Sequence, residues 1–276
     1  MSVQVTGAFA GARVVVTGAG GIFGRRIAAA FARAGARLCL SDPRPEVLDQ
    51  LPGELGLSPD ATLLHVTELR EDDSILDLVR LVERAWGAPD ILINNAGVYP
   101  RGQLLDIPAD EWDRIMDVNL RAPFLLTREI ARLMIRAGVQ GSVVNITSGA
   151  ARTLRTGSVP YGTSKAALER LTAGLALELA PHRIRVNAVS PGFAPGSTVS
   201  PLSPAYVDAM LARIPLGRSS GPDDAPNAIL FLCSENASFI TGATLAVDGG
   251  NSLGTVDPSP GSIGGPPGGP AASPTG

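Results

Sequence analysis

The chain has 276 residues, 45% of them hydrophobic and 18% charged, with a formal net charge of −3. That length and apolar content suffice for one large α/β domain or two small ones, and the slight negative charge argues against a nucleic-acid surface. Two histidines and two distant cysteines, Cys39 and Cys233, cannot build an ordinary zinc site, so no metal is expected and the cysteines read as buried free thiols.

No basic-then-apolar leader opens the sequence, and no apolar run is long enough to span a bilayer. A cytoplasmic protein without a membrane partner is the expectation. Strand-like runs fall at Arg13–Thr17, Arg37–Ser41, Thr62–Val66, Ile91–Asn94, Ser142–Ile146, Arg185–Val189 and Thr244–Val247. Helical patterns lie between them at Arg25–Ala34, Asp72–Trp86, Ala109–Ala137, Gly162–Leu179 and Asp223–Cys233. Strand–helix alternation of this kind predicts right-handed βαβ crossovers. The expected fold is α/β: a doubly wound, seven-stranded parallel sheet of Rossmann type with helices on both faces.

The first predicted strand runs into TGAGGIFG, residues 17–24. A G-x-G-x-x-G reading fails at Phe23, and T-G-x-x-x-G-x-G would need glycine in place of Ile22; T-G-x-x-G-x-x-G fits Gly18, Gly21 and Gly24. A glycine turn leading into a helix N-terminus is an anion site, because backbone can approach a pyrophosphate and the first helical N–H groups have no partner. Gly18 is expected to make the turn, Gly21 to allow close approach and Gly24 to let the helix pack on the sheet. Asp42 ends the second strand, 24 residues after Gly18. A carboxylate there would accept the adenosine ribose hydroxyls and repel a 2′-phosphate, favouring NAD(H) over NADP(H). Arg44 softens that preference, and a plain loop or helix-cap role for Asp42 is the alternative.

Further along, Ser148 follows the fifth strand, Tyr161 comes thirteen residues later, and Lys165 four after that. Positions four apart share a helix face, so Lys165 can lie beneath the site that Tyr161 faces. An ammonium there would favour phenolate; work near neutral pH needs a fall of roughly 2–3 units from the ordinary tyrosine value. Y-x-x-x-K alone is commonplace, and its order after a nucleotide loop gives it meaning.

Taken together, TGAGGIFG, DILINNAGVY, MDVNLRAPF, GSVVNITS, YGTSK, RVNAVSPG, PLGR and ITGATLAVDGG resemble the short-chain dehydrogenase/reductase family over residues 10–253. The resemblance implies a catalytic tetrad of Asn119, Ser148, Tyr161 and Lys165. Tyr161 would be the general acid/base and Ser148 would hold the substrate oxygen. Lys165 would lower the Tyr161 pKa and bind the nicotinamide ribose, and Asn119 would fix a water in a proton relay. It also implies cofactor contacts along Gly18, Gly21, Ile22, Phe23 and Gly24, at Asp42 and Val66, at Asn95, Ala96 and Gly97, at Tyr161 and Lys165, and at the Pro191-Gly192 turn. The substrate would be a small alcohol or ketone. Family members of this size assemble as homodimers or homotetramers through the helices that carry Asn119 and Tyr161.

Some positions depart from the family pattern. The glycine spacing looks like the family's extended branch, while the rest looks like its single-domain branch. His65 stands where an adenine-contacting Asp is common, which leaves the Val66 backbone or the imidazole for that role. Gly196 replaces the usual carboxamide-binding threonine, with Ser197 and Thr198 just after. A substrate lid is expected from Phe193 to Ile214; its three prolines and few charges suggest a neutral or apolar substrate. Arg101, Arg152 and Arg155 flank the site and read as solvated, an anion contact being the alternative. The single catalytic domain is expected to span 1–254. Residues 255–276 contain twelve Pro or Gly and one charge, and read as a disordered tail. Two other functions on the same fold are a non-redox lyase and a nucleotide-sensing binding protein; the presence of both Tyr161 and Lys165 speaks against them.

Overall fold

The structure, a computed structural model, describes residues 8–196 and 203–254. The expected tail and six residues of the expected lid, Ser197 and Thr198 included, lie outside the described residues. Seven strands form one parallel sheet: β1 (Arg13–Thr17), β2 (Arg37–Asp42), β3 (Thr62–Val66), β4 (Ile91–Asn94), β5 (Ser142–Ile146), β6 (Arg185–Pro191) and β7 (Thr244–Val247). Their spatial order is β3-β2-β1-β4-β5-β6-β7. The chain therefore winds outward from β1 in one direction, then returns beside β1 at β4 and winds outward in the other. The reversal opens a crevice at the carboxyl ends of β1 and β4, where doubly wound sheets bind ligands.

The helices are α1 (Ile22–Arg33), α2 (Pro45–Leu55), α3 (Asp72–Trp86), α4 (Ala109–Met116), α5 (Ala122–Arg136), α6 (Val159–Leu179), α7 (Pro204–Leu211) and α8 (Asp224–Cys233). Successive strand side chains point to opposite faces, and the sheet accordingly builds two cores. Val14 and Val16 join Ile27, Phe31, Leu48, Leu51 and Ile229 beneath α1, α2 and α8. Val15 joins Ile75, Leu78, Leu126, Ile130 and Ala176 beneath α3, α5 and α6. All the expected strands are present, with β2 and β6 extended by one and two residues.

The helix expected at 109–137 is one rod interrupted by a π-helical turn, Asp117–Arg121. Two helices were not anticipated. Pro52 and Gly53 break the pattern of α2, yet Pro45 opens it and Leu48 and Leu51 anchor it in the core. The short α7 carries three residues of its apolar character on a half-exposed segment and shows no clear periodicity in sequence. Among the described residues, no helix is long and apolar enough to cross a membrane.

A buried polar chain ties the two central helices to the sheet. Asn94 Nδ2 donates to Thr127 Oγ1 at 3.0 Å and to Asn145 Oδ1 at 2.8 Å; Asn145 Nδ2 donates to Thr172 Oγ1 at 2.9 Å. Thr172 in turn donates to the Leu168 carbonyl at 2.7 Å. All four side chains are buried. Buried polar groups must find partners, so this chain locks α5 and α6 in register across β4 and β5.

Candidate active site

The glycine loop turns between β1 and α1. Gly18 has a left-handed φ of 62°, and a Cβ there would stand 2.7 Å from the Ala96 Cα. At Gly24 a Cβ would stand 2.1 Å from the Gly18 carbonyl oxygen, so only glycine lets α1 sit this close to the turn. A Cβ at Gly21 would meet only the Gly18 oxygen, at 3.4 Å; the space above it is open. The three roles read from the sequence thus have separate physical grounds. Gly20, which no spacing singled out, is as constrained as the others: a Cβ there would lie 2.3 Å from Val47 Cγ1 and 2.9 Å from Asp42 Oδ2.

The first turn of α1, from Ile22 through Phe23 to Gly24, has neither a side-chain cap nor an acidic residue. Its N-terminus therefore keeps its positive end for a ligand anion. Asn95 steadies the loop rather than facing it as a ligand contact: its Nδ2 donates to the carbonyls of Thr17 at 2.9 Å and Gly18 at 3.0 Å. The Ala96 N–H donates to Thr17 Oγ1 at 3.1 Å. A pyrophosphate fits this cradle, because side chains are absent where it would lie and the helix end is uncapped.

Asp42 lies at the expected place but is not open. Its carboxylate is buried and accepts the Gly20 N–H at 3.0 Å, Arg44 Nε at 2.8 Å and Arg44 Nη2 at 3.2 Å. Contact with ribose hydroxyls therefore requires Arg44 to move aside. Val66, paired with Asp42 across β2 and β3, is 50% exposed and forms an apolar shelf beside it. The His65 ring is instead tied through Nδ1 to Thr67 Oγ1 at 2.8 Å, and burial holds its pKa below the ordinary value. On the other side of the crevice, the Gly192 N–H donates to the Val247 carbonyl, and a Cβ at Gly192 would stand 2.8 Å from Asp248 Cα. The Pro191-Gly192 turn is glycine-bound for the same close-approach reason as the loop.

Ser148 caps a short turn after β5, its Oγ accepting the Ala150 N–H at 3.2 Å, and its side chain lies beside the Tyr161 phenol and favours the phenolate. Tyr161 and Lys165 share one face of α6. Lys165 Nζ stands 5.9 Å from the Tyr161 ring centroid and donates to the Ile146 carbonyl at 2.9 Å. A Cβ at Gly97 would touch both Lys165 Nζ and Asn119 Oδ1 at 3.3 Å, so Gly97 keeps that corner clear. The four tetrad residues are brought together around one small space, as the resemblance implied.

Two further details bear on the site. Burial raises the Tyr161 pKa, the Ser148 side chain only partly opposing it. Burial also pushes the Lys165 amine down to about 8, so the two groups sit further apart in proton affinity than free side chains do, with the phenol now the weaker acid. The second detail is Asn119. Its Oδ1 accepts the Val98 N–H at 2.8 Å, and its Nδ2 donates to the Val98 carbonyl at 2.8 Å and Ser164 Oγ at 3.0 Å. The side-chain amide clamps the β4 loop to α6 and holds the loop bearing Gly97. The π-helical turn around Asn119 aims it there; such turns often mark functional sites. Lys165 is also the sole lysine of the chain, all 22 other long cations being arginine. Arginine cannot give up its proton in a protein, so the one titratable amine stands where a neutral-to-charged side chain is useful.

Comparison with known proteins agrees with this geometry. A family profile described as Enoyl-(Acyl carrier protein) reductase matches residues 18–252. The 3-oxoacyl-(acyl-carrier-protein) reductase FabG of Thermotoga maritima is 34% identical over 236 residues, covering 86% of this chain and 96% of that protein. A short-chain type dehydrogenase/reductase from Mycobacterium marinum superposes with a TM-score of 0.81 at 31% identity, over 91% of this chain and 99% of that one. The 3-ketoacyl-(acyl-carrier-protein) reductase of Brucella melitensis, solved with NADH, gives 0.80 at 32% identity, over 88% and 99%. A glycine cradle at the sheet reversal, a serine–tyrosine–lysine cluster beside it and relatives matched over nearly their whole length leave one assignment: the chain belongs to the short-chain dehydrogenase/reductase family of hydride-transfer oxidoreductases.

Proposed function

We propose that the protein interconverts a secondary alcohol and a ketone with a nicotinamide cofactor, and that Tyr161 is the proton donor and acceptor. The observation that carries this reading is the adjacent Ser148–Tyr161 pair with Lys165 behind it, beside a turn whose Gly18 and Gly24 leave no room for a side chain. When bound, the reduced nicotinamide supplies hydride to the carbonyl carbon and is oxidised. Ser148 Oγ and Tyr161 Oη hold the carbonyl oxygen, and Tyr161 delivers a proton to it as the alkoxide forms. In the oxidative direction Tyr161 takes that proton back. Lys165, charged or neutral near pH 8, restores the proton of Tyr161 and reaches the ribose side of the site. Asn119, by gripping Val98 and Ser164, fixes the spacing of the β4 loop and α6 on either side of the reacting atoms.

Asp42 supports NAD(H) as the preferred cofactor, with NADP(H) less favoured. Arg44 is already paired with Asp42, so a 2′-phosphate would have to compete with a buried carboxylate for that guanidinium. We also propose a homotetramer or homodimer; exposed Phe124 on α5 and Leu177 on α6 lie on the two helices that would pair, and light scattering of the purified protein reads the mass directly. The function itself is tested with a panel of ketones and alcohols at the reduced-nicotinamide absorbance. Turnover by the wild type and none by Tyr161→Phe, with NADH binding retained, is expected; full turnover by the variant refutes the assignment.

A further inference from the structure

Three arginines flank the cleft, and the structure separates them. Arg152 is paired with Glu169 at 3.4 Å. Arg101 and Arg155 have no ion-pair partner among the described residues. Both turn toward the same phenol, that of Tyr206 on α7. Arg101 Nη2 donates to Tyr206 Oη at 2.6 Å, with the guanidinium carbon 4.9 Å from the ring centroid. The charge of Arg155 also acts on the Tyr206 phenol, and its Nη1 lies 3.3 Å from Met210 Sδ one turn further along α7. The Tyr206 phenol is itself held below its ordinary pKa: burial pushes it up, but Arg101 and then Arg155 outweigh burial. Two like charges converging on one neutral oxygen repel each other, an arrangement that an anion between them would relieve. Asp106 and Glu111 line a small cavity beside Arg101, but Glu111 is held by Arg114 at 2.6 Å and neither is paired with Arg101.

Both arginines are also fixed relative to the catalytic tyrosine. The Tyr99 ring packs edge-on against Tyr161 with centroids 6.1 Å apart, and Arg101 follows two residues later. The Gly102 N–H donates to the Gly157 carbonyl at 3.1 Å, joining the Arg101 loop to the Arg155 loop. The Ser158 hydroxyl and N–H bond the Arg155 carbonyl. Arg101 thus follows, two residues along the chain, the ring that packs on Tyr161.

Resting on the oxidoreductase reading above, we propose that Arg101 and Arg155 form an anion-binding pair beside the catalytic site, and that the substrate is a small ketone or alcohol bearing an oxyanion group. This reverses the neutral substrate suggested by the composition of the lid. Guanidinium forks match carboxylate and phosphate oxygens in geometry as well as charge, and Tyr206 then brings α7 down over the bound anion.

The test compares each anion with its neutral counterpart. The carboxylate arm is 3-oxobutanoate, 4-oxopentanoate and 5-oxohexanoate, each against its methyl ester; the phosphate arm is dihydroxyacetone phosphate against dihydroxyacetone. At least one anion is expected to exceed its neutral partner tenfold or more in kcat/KM. The double variant R101Q/R155Q should bring that ratio close to one, mainly through the KM of the anion, and R101K/R155K should restore part of it. Equal rates for every pair overturn the proposal while leaving the oxidoreductase reading intact. A double variant that slows anion and neutral partner in equal proportion also overturns it, since the arginines would then only latch α7. Absence of turnover with every carbonyl compound tried refutes the oxidoreductase reading and this proposal together.

Discussion

Replacing Lys165 by methionine should stabilise the apoprotein while abolishing activity. The amine is buried and its pKa falls from 10.5 to about 8. Its folded value is depressed, so the stability linked to it is fully present above 10.5 and is lost as the pH falls through 8. At pH 7 the native state thus carries a buried ammonium that the unfolded chain would hydrate. At about 1.36 kcal/mol per pKa unit, that costs about 3 kcal/mol. Methionine removes the charge but leaves the Ile146 carbonyl without its donor, a loss of about 1 kcal/mol. The net gain is about 2 kcal/mol at pH 7, or roughly 4–8 °C in Tm for a domain of this size. Well above pH 10.5 the wild-type amine is neutral in both states and keeps its hydrogen bond, so the order should invert. The assay is thermal unfolding of wild type and Lys165→Met at pH 7 and well above pH 10.5. Because the chain has one lysine, 15N-lysine labelling gives a single side-chain signal whose titration reports its pKa directly. A titration at or above pH 10, or a variant less stable than wild type at pH 7, refutes the reasoning.

Other outcomes follow from the same geometry. Gly24→Ala should destroy cofactor binding or the fold, because its methyl would stand 2.1 Å from the Gly18 carbonyl oxygen; isothermal titration with NADH and a melting curve separate the two effects. NADH should bind at least about tenfold more tightly than NADPH, a difference of about 1.4 kcal/mol, and Asp42→Asn should narrow the gap by releasing Arg44. Equal titration curves for the wild type would refute the role given to Asp42. Thr172→Val should cost about 1–3 kcal/mol by stranding the Asn145 amide, visible as a lower midpoint in urea, and an unchanged midpoint would show that the buried chain does not hold α5 to α6. Tyr161→Phe should lose turnover while binding NADH nearly as well as the wild type, as measured by fluorescence titration.

The central strands were legible in sequence because they are buried on both faces and read as short apolar runs such as Val14-Val15-Val16 and Ser142–Ile146. The helix α2 was not, since Pro52 and Gly53 obscure a pattern that only Leu48 and Leu51 in the core sustain. The spacing of Tyr161 and Lys165 made their common face legible, because helix periodicity places i and i+4 on one face whatever the surroundings. Local sequence also specified Gly18 and Gly24. It could not reveal Gly20, whose constraint comes from Val47 and Asp42, more than twenty residues away.

Tertiary structure alone decided the state of each group. The Asp42 carboxylate is closed by Arg44, the Asn119 amide is bonded to Val98 and Ser164, and the Tyr161 phenol is raised by burial. It also decided which arginines are paired, separating Arg152 on Glu169 from the Arg101 and Arg155 that meet at Tyr206. Periodicity and spacing are properties of neighbouring residues, so the sequence carries the fold and the reacting atoms. Proton affinity and charge pairing depend on burial and on partners distant in the chain, and these exist only once the sheet brings them together.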